Sequence, residues 1–158
     1  MRRAKAQVLA GPGRLSASER LRWGGLSVLA VAGMGVAAYL TYTHWADKPV
    51  ACGPVGDCNL VQTSEYSAIA GVPVALLGFL LCAALLGVVL WRVGLDRSGM
   101  AEEWAPLAVF GMTLMGVAYA AYLTYVELFV LEAICIYCVT LASIMTASLL
   151  ISVAELFA

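Results

Sequence analysis

Four of the five cysteines have a spacing that suits thiol–disulfide exchange. Cys135-Ile136-Tyr137-Cys138 is a CxxC motif at the start of an apolar segment. Cys52 and Cys58 lie about eighty residues upstream, in the one long polar loop of the chain. Residues three apart on a helix share a face. In the first turns of a helix, unpaired N–H groups and the positive end of the dipole favour a thiolate. A CxxC disulfide is strained and reducible, which suits exchange rather than stapling. Glu132, close by in sequence, is expected to oppose thiolate formation. The segment Cys52-Gly-Pro-Val-Gly-Asp-Cys58 holds two glycines and a proline. It can bend enough to bring two Cα atoms within about 6 Å, as a disulfide needs. Four cysteines allow three pairings. A 52–58 bridge with a 135–138 bridge, and a 58–135 bridge, could be successive states of one cycle.

The elements that must position these thiols follow from composition. The chain is 158 residues, 63% hydrophobic and 12% charged, whereas a soluble domain is nearer half apolar and a quarter charged. The excess is gathered in four blocks, roughly Trp23 to Trp45, Pro73 to Trp91, Trp104 to Val126 and Leu131 to Val153. Each is long enough for the roughly 20 apolar residues a spanning helix requires. All four tryptophans fall at the ends of these blocks, where aromatic belts form. The fold expected is an all-α integral membrane protein, a four-transmembrane-helix bundle with a long loop, about residues 46–72, between the first two helices. A net charge of −1 gives no indication of a nucleic-acid partner.

Charge distribution predicts orientation. Residues 1–22 read as a basic tail with Arg2, Arg3, Lys5, Arg14, Arg20 and Arg22 against Glu19 alone, interrupted by Gly11, Pro12 and Gly13. A signal-peptide n-region is the alternative, but the apolar run after it is long enough to span and no clear cleavage site follows. The loop after the first helix has only Lys48, the second connection has Arg92 and Arg97, and the third has no Lys or Arg. The positive-inside rule then puts both termini in the cytoplasm of a plasma (inner) membrane protein. Both cysteine pairs fall on the extracytoplasmic side, where disulfides form and persist.

The long loop carries Tyr66, Ile69 and Val72 and ends in Gly71-Val72-Pro73. Pro73 suits the first turn of a helix and keeps Val72 extended. Residues 64–70 are expected to form a short interfacial helix capped by Thr63 or Ser64. Ala-Ala-Tyr-Leu-Thr-Tyr occurs twice, at 37–42 and 120–125, and each copy ends ten residues before a cysteine, Cys52 or Cys135. This reads as a repeat of two helical hairpins, each placing a cysteine pair just beyond its first helix.

A dithiol relay needs a final acceptor, and within a membrane the available two-electron carrier is a quinone. Tyr119, Tyr122, Tyr125 and Phe129 form a stripe that could line its site, against the simpler reading of helix packing and interfacial anchoring. Ser64 could donate to a quinone carbonyl or serve as a cap. His44, the sole histidine, sits near the membrane surface, where a proton-relay role is open to it. Cys82, nine residues into the second block among Leu80, Leu81, Ala83 and Ala84, reads as a packing residue. Competing readings of the other four cysteines are structural staples, inert buried thiols and a zinc site. The wide 52/58 spacing and an oxidising compartment work against zinc.

Four helices, a loop bearing Cys52 and Cys58, and a CxxC on the fourth helix together resemble the vitamin K epoxide reductase (VKOR) family. The run Cys58-Asn-Leu-Val-Gln-Thr-Ser64-Glu-Tyr-Ser, then Gly71-Val-Pro73 and Leu77-Gly78, is similar to its bacterial branch, and the resemblance covers about residues 23–155. It implies that Cys52 exchanges with a partner's thiols, that Cys58 forms a transient disulfide with Cys135, and that Cys138 meets the quinone, menaquinone or ubiquinone. Ser64 matches the loop Ser/Thr that hydrogen-bonds the quinone; Tyr122 and Tyr125 are the further candidate quinone contacts. The second helix lacks the Asn, and Ala142 replaces the Tyr, of vertebrate members. These departures favour oxidation of a thioredoxin-fold (DsbA-like) partner over reduction of vitamin K or its epoxide. The chain stops just past the fourth helix, so that partner is expected to be a separate protein. An oxidoreductase of the DsbB type shares the chemistry but carries its CxxC in the first outer loop. A non-enzymatic membrane protein stapled by disulfides is the alternative from another class.

Overall fold

The computed structural model describes residues 15–54, 56–95 and 101–157. Arg2, Arg3, Lys5, Gly11, Pro12, Gly13 and Arg14 of the basic tail, and Arg97, lie outside them. The elements are α1 (Ala17–Trp45), α2 (Cys58–Thr63), a 3₁₀ turn (Glu65–Ser67), β1 (Ala68–Ile69), β2 (Val72–Pro73), α3 (Val74–Leu90), a π-helical turn (Trp91–Leu95), α4 (Ala101–Phe129) and α5 (Ile136–Phe157). Four of them, α1, α3, α4 and α5, are long and apolar enough to cross a membrane. The expected four-helix membrane bundle is therefore the fold.

The helix ends depart from the apolar blocks for local reasons. α1 begins six residues before Trp23 because Ser16 and Glu19 form a capping box. The Ser16 hydroxyl accepts from the Glu19 N–H, and the Glu19 carboxylate accepts from the Ser16 N–H at 2.8 Å. Arg22 then pairs with Glu155 of α5 at 3.0 Å and donates to the Ala154 carbonyl. Arg20 and Arg22 are thus helical. Trp23 is buried with Leu26, Ala30, Leu85, Val89, Ala105 and Val109, so it is a core residue and not part of an aromatic belt. Trp45, Trp91 and Trp104 are exposed near helix ends.

α5 begins five residues after Leu131. Glu132 has a φ of 49°, a left-handed conformation that a helix excludes. The N–H of Ala133 instead donates to the Glu127 carbonyl at 3.0 Å. Residues 130–135 therefore form a turn, apolar because it lies at the membrane end.

The helix expected over 64–70 is replaced by two elements. Asp57 caps α2, accepting from the Leu60 N–H at 3.2 Å, and α2 stops at Ser64. A two-residue hairpin follows, pairing Ala68 with Pro73 and Ile69 with Val72. Ala70 and Gly71 both take positive φ, 51° and 82°, as a type I′ turn requires.

The spanning helices form a closed ring in which α1 packs on α3 and α5, and α4 packs on α3 and α5. The two sequence hairpins, α1 with α3 and α4 with α5, are the most intimate pairs. Inside hydrocarbon such contacts rest on close packing rather than on water exclusion. Gly33 shows how close: a Cβ added there would lie 2.8 Å from the Cys82 sulfur. Cys82 is fully buried and fills the notch opposite Gly33. Gly33→Ala is expected to lower stability by about 1–3 kcal/mol through overpacking. Adding Cys82→Ala, which removes the clashing sulfur, should recover most of that loss. Unfolding of detergent-solubilised protein measures both, and an unrescued double variant would contradict the packing.

Candidate thiol–disulfide site

Both cysteine pairs lie at the end of the bundle that carries the α1–α3 loop. Cys52 and Cys58 are joined by a disulfide across a Cα–Cα separation of 6.0 Å. Cys135 and Cys138 are free thiols. The disulfide occupies two of the four thiolates that a zinc site would need.

The loop is fixed on the CxxC segment by several contacts. The Val50 N–H donates to the Asn59 side chain at 2.8 Å. The Tyr137 hydroxyl, from inside the CxxC, donates to the Ala51 carbonyl at 2.8 Å. The Ala51 N–H donates to the Tyr39 hydroxyl at 3.3 Å, and the Tyr39 and Tyr137 rings lie 5.3 Å apart. Gly56, at φ 103°, is the closest approach: a Cβ there would meet the Ile134 carbonyl. Cys58 and Cys135 are consequently both fully buried in one cluster with Leu40 and Val50. Cys52 is half-buried at its edge.

Cys135 is the residue before α5, and its carbonyl accepts the Val139 N–H at 3.0 Å. Cys138 lies in the first turn. Its thiol donates a hydrogen bond to the Cys135 sulfur, and this lowers the Cys135 thiol to about 7. Burial works in the opposite direction; the N–H groups of Cys138 and Tyr137 add to the lowering, and the negative charge of Glu127 opposes it. The relevant carboxylate is therefore Glu127, not Glu132, whose side chain is exposed. Glu127 is 3% exposed and accepts the Cys135 N–H at 3.2 Å.

Beside Cys138 lies a cavity of about 560 Å³. Its walls come from α1, α2, α3, α4 and α5 and are mostly apolar, with Leu40, Leu81 and Met145 typical. Polar groups on the wall include Gln62, Ser64, Tyr66, Tyr119, Glu127 and Cys138. Leu80 and Met115 line it while being 53% and 69% exposed on the outside of the bundle, so it reaches the lipid-facing side between α3 and α4.

The structure brings Cys138 and Ser64 to this cavity and Cys135 to Cys58. The Ser64 hydroxyl donates to the Val61 carbonyl at 2.7 Å rather than capping the turn after it. Tyr122 and Tyr125 are not on the cavity wall; they are 49% and 57% exposed, with Tyr125 against Phe129 at 5.0 Å between ring centres. Of that aromatic stripe, Tyr119 alone is on the wall. His44 is half-buried at the end of α1. Glu127 and Gln62 were not anticipated. Glu127 had a signal: a carboxylate at the end of an apolar segment, eight residues before a CxxC. Gln62, an amide four residues after Cys58, had a weaker one.

Four spanning helices that hold a disulfide and a dithiol at one end, beside an apolar cavity, define a membrane thiol–disulfide oxidoreductase. The model of the Vitamin K epoxide reductase family matches residues 26–153. The chain belongs to that family, whose members are quinone-linked membrane oxidoreductases.

The position of Cys135 sets a pH dependence. Below about pH 7 its thiol is protonated and unreactive; above it the thiolate predominates. Alkylation of the reduced protein by iodoacetamide, mapped by mass spectrometry, should show Cys135 modified with a midpoint near pH 7 after denaturant-free exposure. A midpoint in the ordinary thiol range, roughly 8.5, would contradict the hydrogen-bonded pair.

Proposed function

We propose that the protein reoxidises the dithiol of an extracytoplasmic thioredoxin-fold (DsbA-like) partner and passes the electrons to a membrane quinone, so supporting disulfide formation. The observation that carries this reading is the serial placement of the thiols: Cys52 half-buried at the rim, Cys58 and Cys135 in one buried cluster, and Cys138 on the cavity. The loop end faces the extracytoplasmic side, in keeping with the Lys and Arg distribution, and residues 1–22 precede a membrane domain of residues 23–155.

Each step exchanges one disulfide for another. A partner thiolate attacks Cys52 and releases Cys58 as a thiolate. A second partner thiolate attacks the mixed disulfide, freeing Cys52 and leaving the partner oxidised. The Cys58 thiolate attacks Cys135 of an oxidised Cys135–Cys138 pair and releases Cys138. Cys52 then resolves the 58–135 bridge, which restores the Cys52–Cys58 disulfide and leaves Cys135 and Cys138 reduced. That redox state is the one the structure holds.

The cavity suits a quinone. Its volume falls within the roughly 300–1,000 Å³ of small-molecule sites, its walls are apolar, and it reaches the lipid side. A quinone bound there accepts two electrons and two protons. Gln62 and Tyr119 could present donors to ring oxygens; Ser64 could do so by releasing Val61. Cys138 lies on the same wall, where it would meet a bound quinone. Ala142, on the wall, occupies the position of the vertebrate Tyr, and this supports partner oxidation over epoxide reduction.

Cys135→Ala and Cys138→Ala should each reduce electron flow from a reduced DsbA-like protein to a short-chain quinone by at least about a hundredfold, whereas Cys82→Ala should stay within about twofold. Quinone absorbance follows the reaction. Full activity in either CxxC variant would falsify the assignment.

A further inference from the structure

The relay described above moves electrons, but two protons must move with them; Cys135 is buried and Cys138 is half-buried on the cavity wall. Glu127 is placed to carry one. Its carboxylate is 3% exposed and accepts the Cys135 N–H at 3.2 Å. It lies on the wall of the same cavity as Cys138. A buried carboxylate at this depth is costly unless it is used or compensated, and no Lys, Arg or His lines the cavity among the described residues. The other titratable groups on that wall are Cys138, Tyr66 and Tyr119; Cys135 faces Glu127 through its N–H.

We propose that Glu127 is the proton carrier between the Cys138 thiol and an acceptor bound in the cavity. This rests on the proposed function. The Cys135 thiolate and the Cys138 thiol together lose two electrons as the S–S bond forms. The Cys138 proton passes to a Glu127 carboxylate oxygen. From there it goes to an oxygen of the quinone, which takes both electrons. The second quinol proton comes from water at the cysteine end, matching the proton Cys135 released when it became a thiolate.

A merely structural role for Glu127 would be to accept the Cys135 N–H and start α5. Glu127→Gln separates the two roles, because an amide oxygen keeps that hydrogen bond but cannot take a proton. Quinone reduction by the full chain in detergent, with dithiothreitol as reductant and a short-chain quinone as acceptor, should fall at least about tenfold in Glu127→Gln. The fall in wild-type rate on acidification should lose one ionisation in that variant, while Glu127→Asp should retain it. An independent readout needs no quinone. In the reduced protein the alkylation midpoint of Cys135 should move below about 7 in Glu127→Gln, because a negative charge has been removed. Wild-type rate and pH profile in Glu127→Gln would overturn the inference. So would a slow variant with an unchanged pH profile, or an unmoved Cys135 midpoint, since the carboxylate would then not be ionised beside the thiols. If Glu127→Gln does not fold, a Glu127→Asp variant that lacks the ionisation overturns it equally. Should Cys138→Ala still reduce quinone, the proposed function falls with it; dependence on Cys138 without dependence on Glu127 removes this inference alone.

Discussion

Hydrocarbon cannot hydrogen-bond a peptide group, and this constraint governs the molecule. Between the membrane faces only regular helix is tolerated, so every irregular segment that could carry exchange chemistry must lie at an end of the bundle. The α1–α3 loop and the 130–135 turn both lie at the same end. Exchange needs backbone that can bend around a sulfur, and it also needs a fixed partner thiol. The loop supplies the first through Cys52–Cys58, and the start of α5 supplies the second. Gly56 against the Ile134 carbonyl, and Tyr137 against Ala51, hold the two together.

The polarity of the site follows from the same geometry. The buried start of α5 exposes unpaired N–H groups to Cys135, and the Cys138 thiol adds a third donor. Negative charge is thus stabilised on the Cys135 sulfur, which shares a buried cluster with Cys58. Glu127 sets a limit on this, since its carboxylate counteracts thiolate formation at Cys135. A pair biased in this way has one end suited to exchange with Cys58 and another that must lose a proton before electrons can leave. On the proposed reading, the buried Glu127 carboxylate on the cavity wall gives α4 a part in that step.

Much of this was legible in the residues. Hydrophobic blocks located the four spanning helices because the membrane demands apolar length, and the CxxC located the start of α5 to within a few residues. What sequence missed was set by side-chain hydrogen bonds that hydropathy does not register. The Ser16–Glu19 capping box and the Arg22–Glu155 pair extended α1 and moved Trp23 into the core. The left-handed Glu132 delayed α5. The I′ turn at Ala70-Gly71 turned an expected helix into a hairpin. Tyr122 and Tyr125 share a stripe with Tyr119, but the ring closes on α4 along a line that leaves them outside the cavity. Tyr39 and Tyr122 are the third residues of the two repeated hexapeptides, but their contacts differ: Tyr39 meets the cysteine loop, and Tyr122 meets Tyr119 at 6.0 Å between ring centres.

The central claim is that electrons pass directly from Cys58 to Cys135. The most direct measurement is disulfide mapping by mass spectrometry in membranes from cells making the Cys138→Ala protein, with free thiols trapped on lysis. In the Cys138→Ala protein the Cys135 thiolate can attack Cys58 of the Cys52–Cys58 disulfide and release Cys52, and no second thiol of the CxxC is left to displace Cys58 from Cys135. The account predicts a 58–135 crosslink that accumulates in this variant and is scarce in wild type. A Cys138→Ala protein with no 58–135 crosslink, or with Cys135 paired mainly to Cys82, would contradict it.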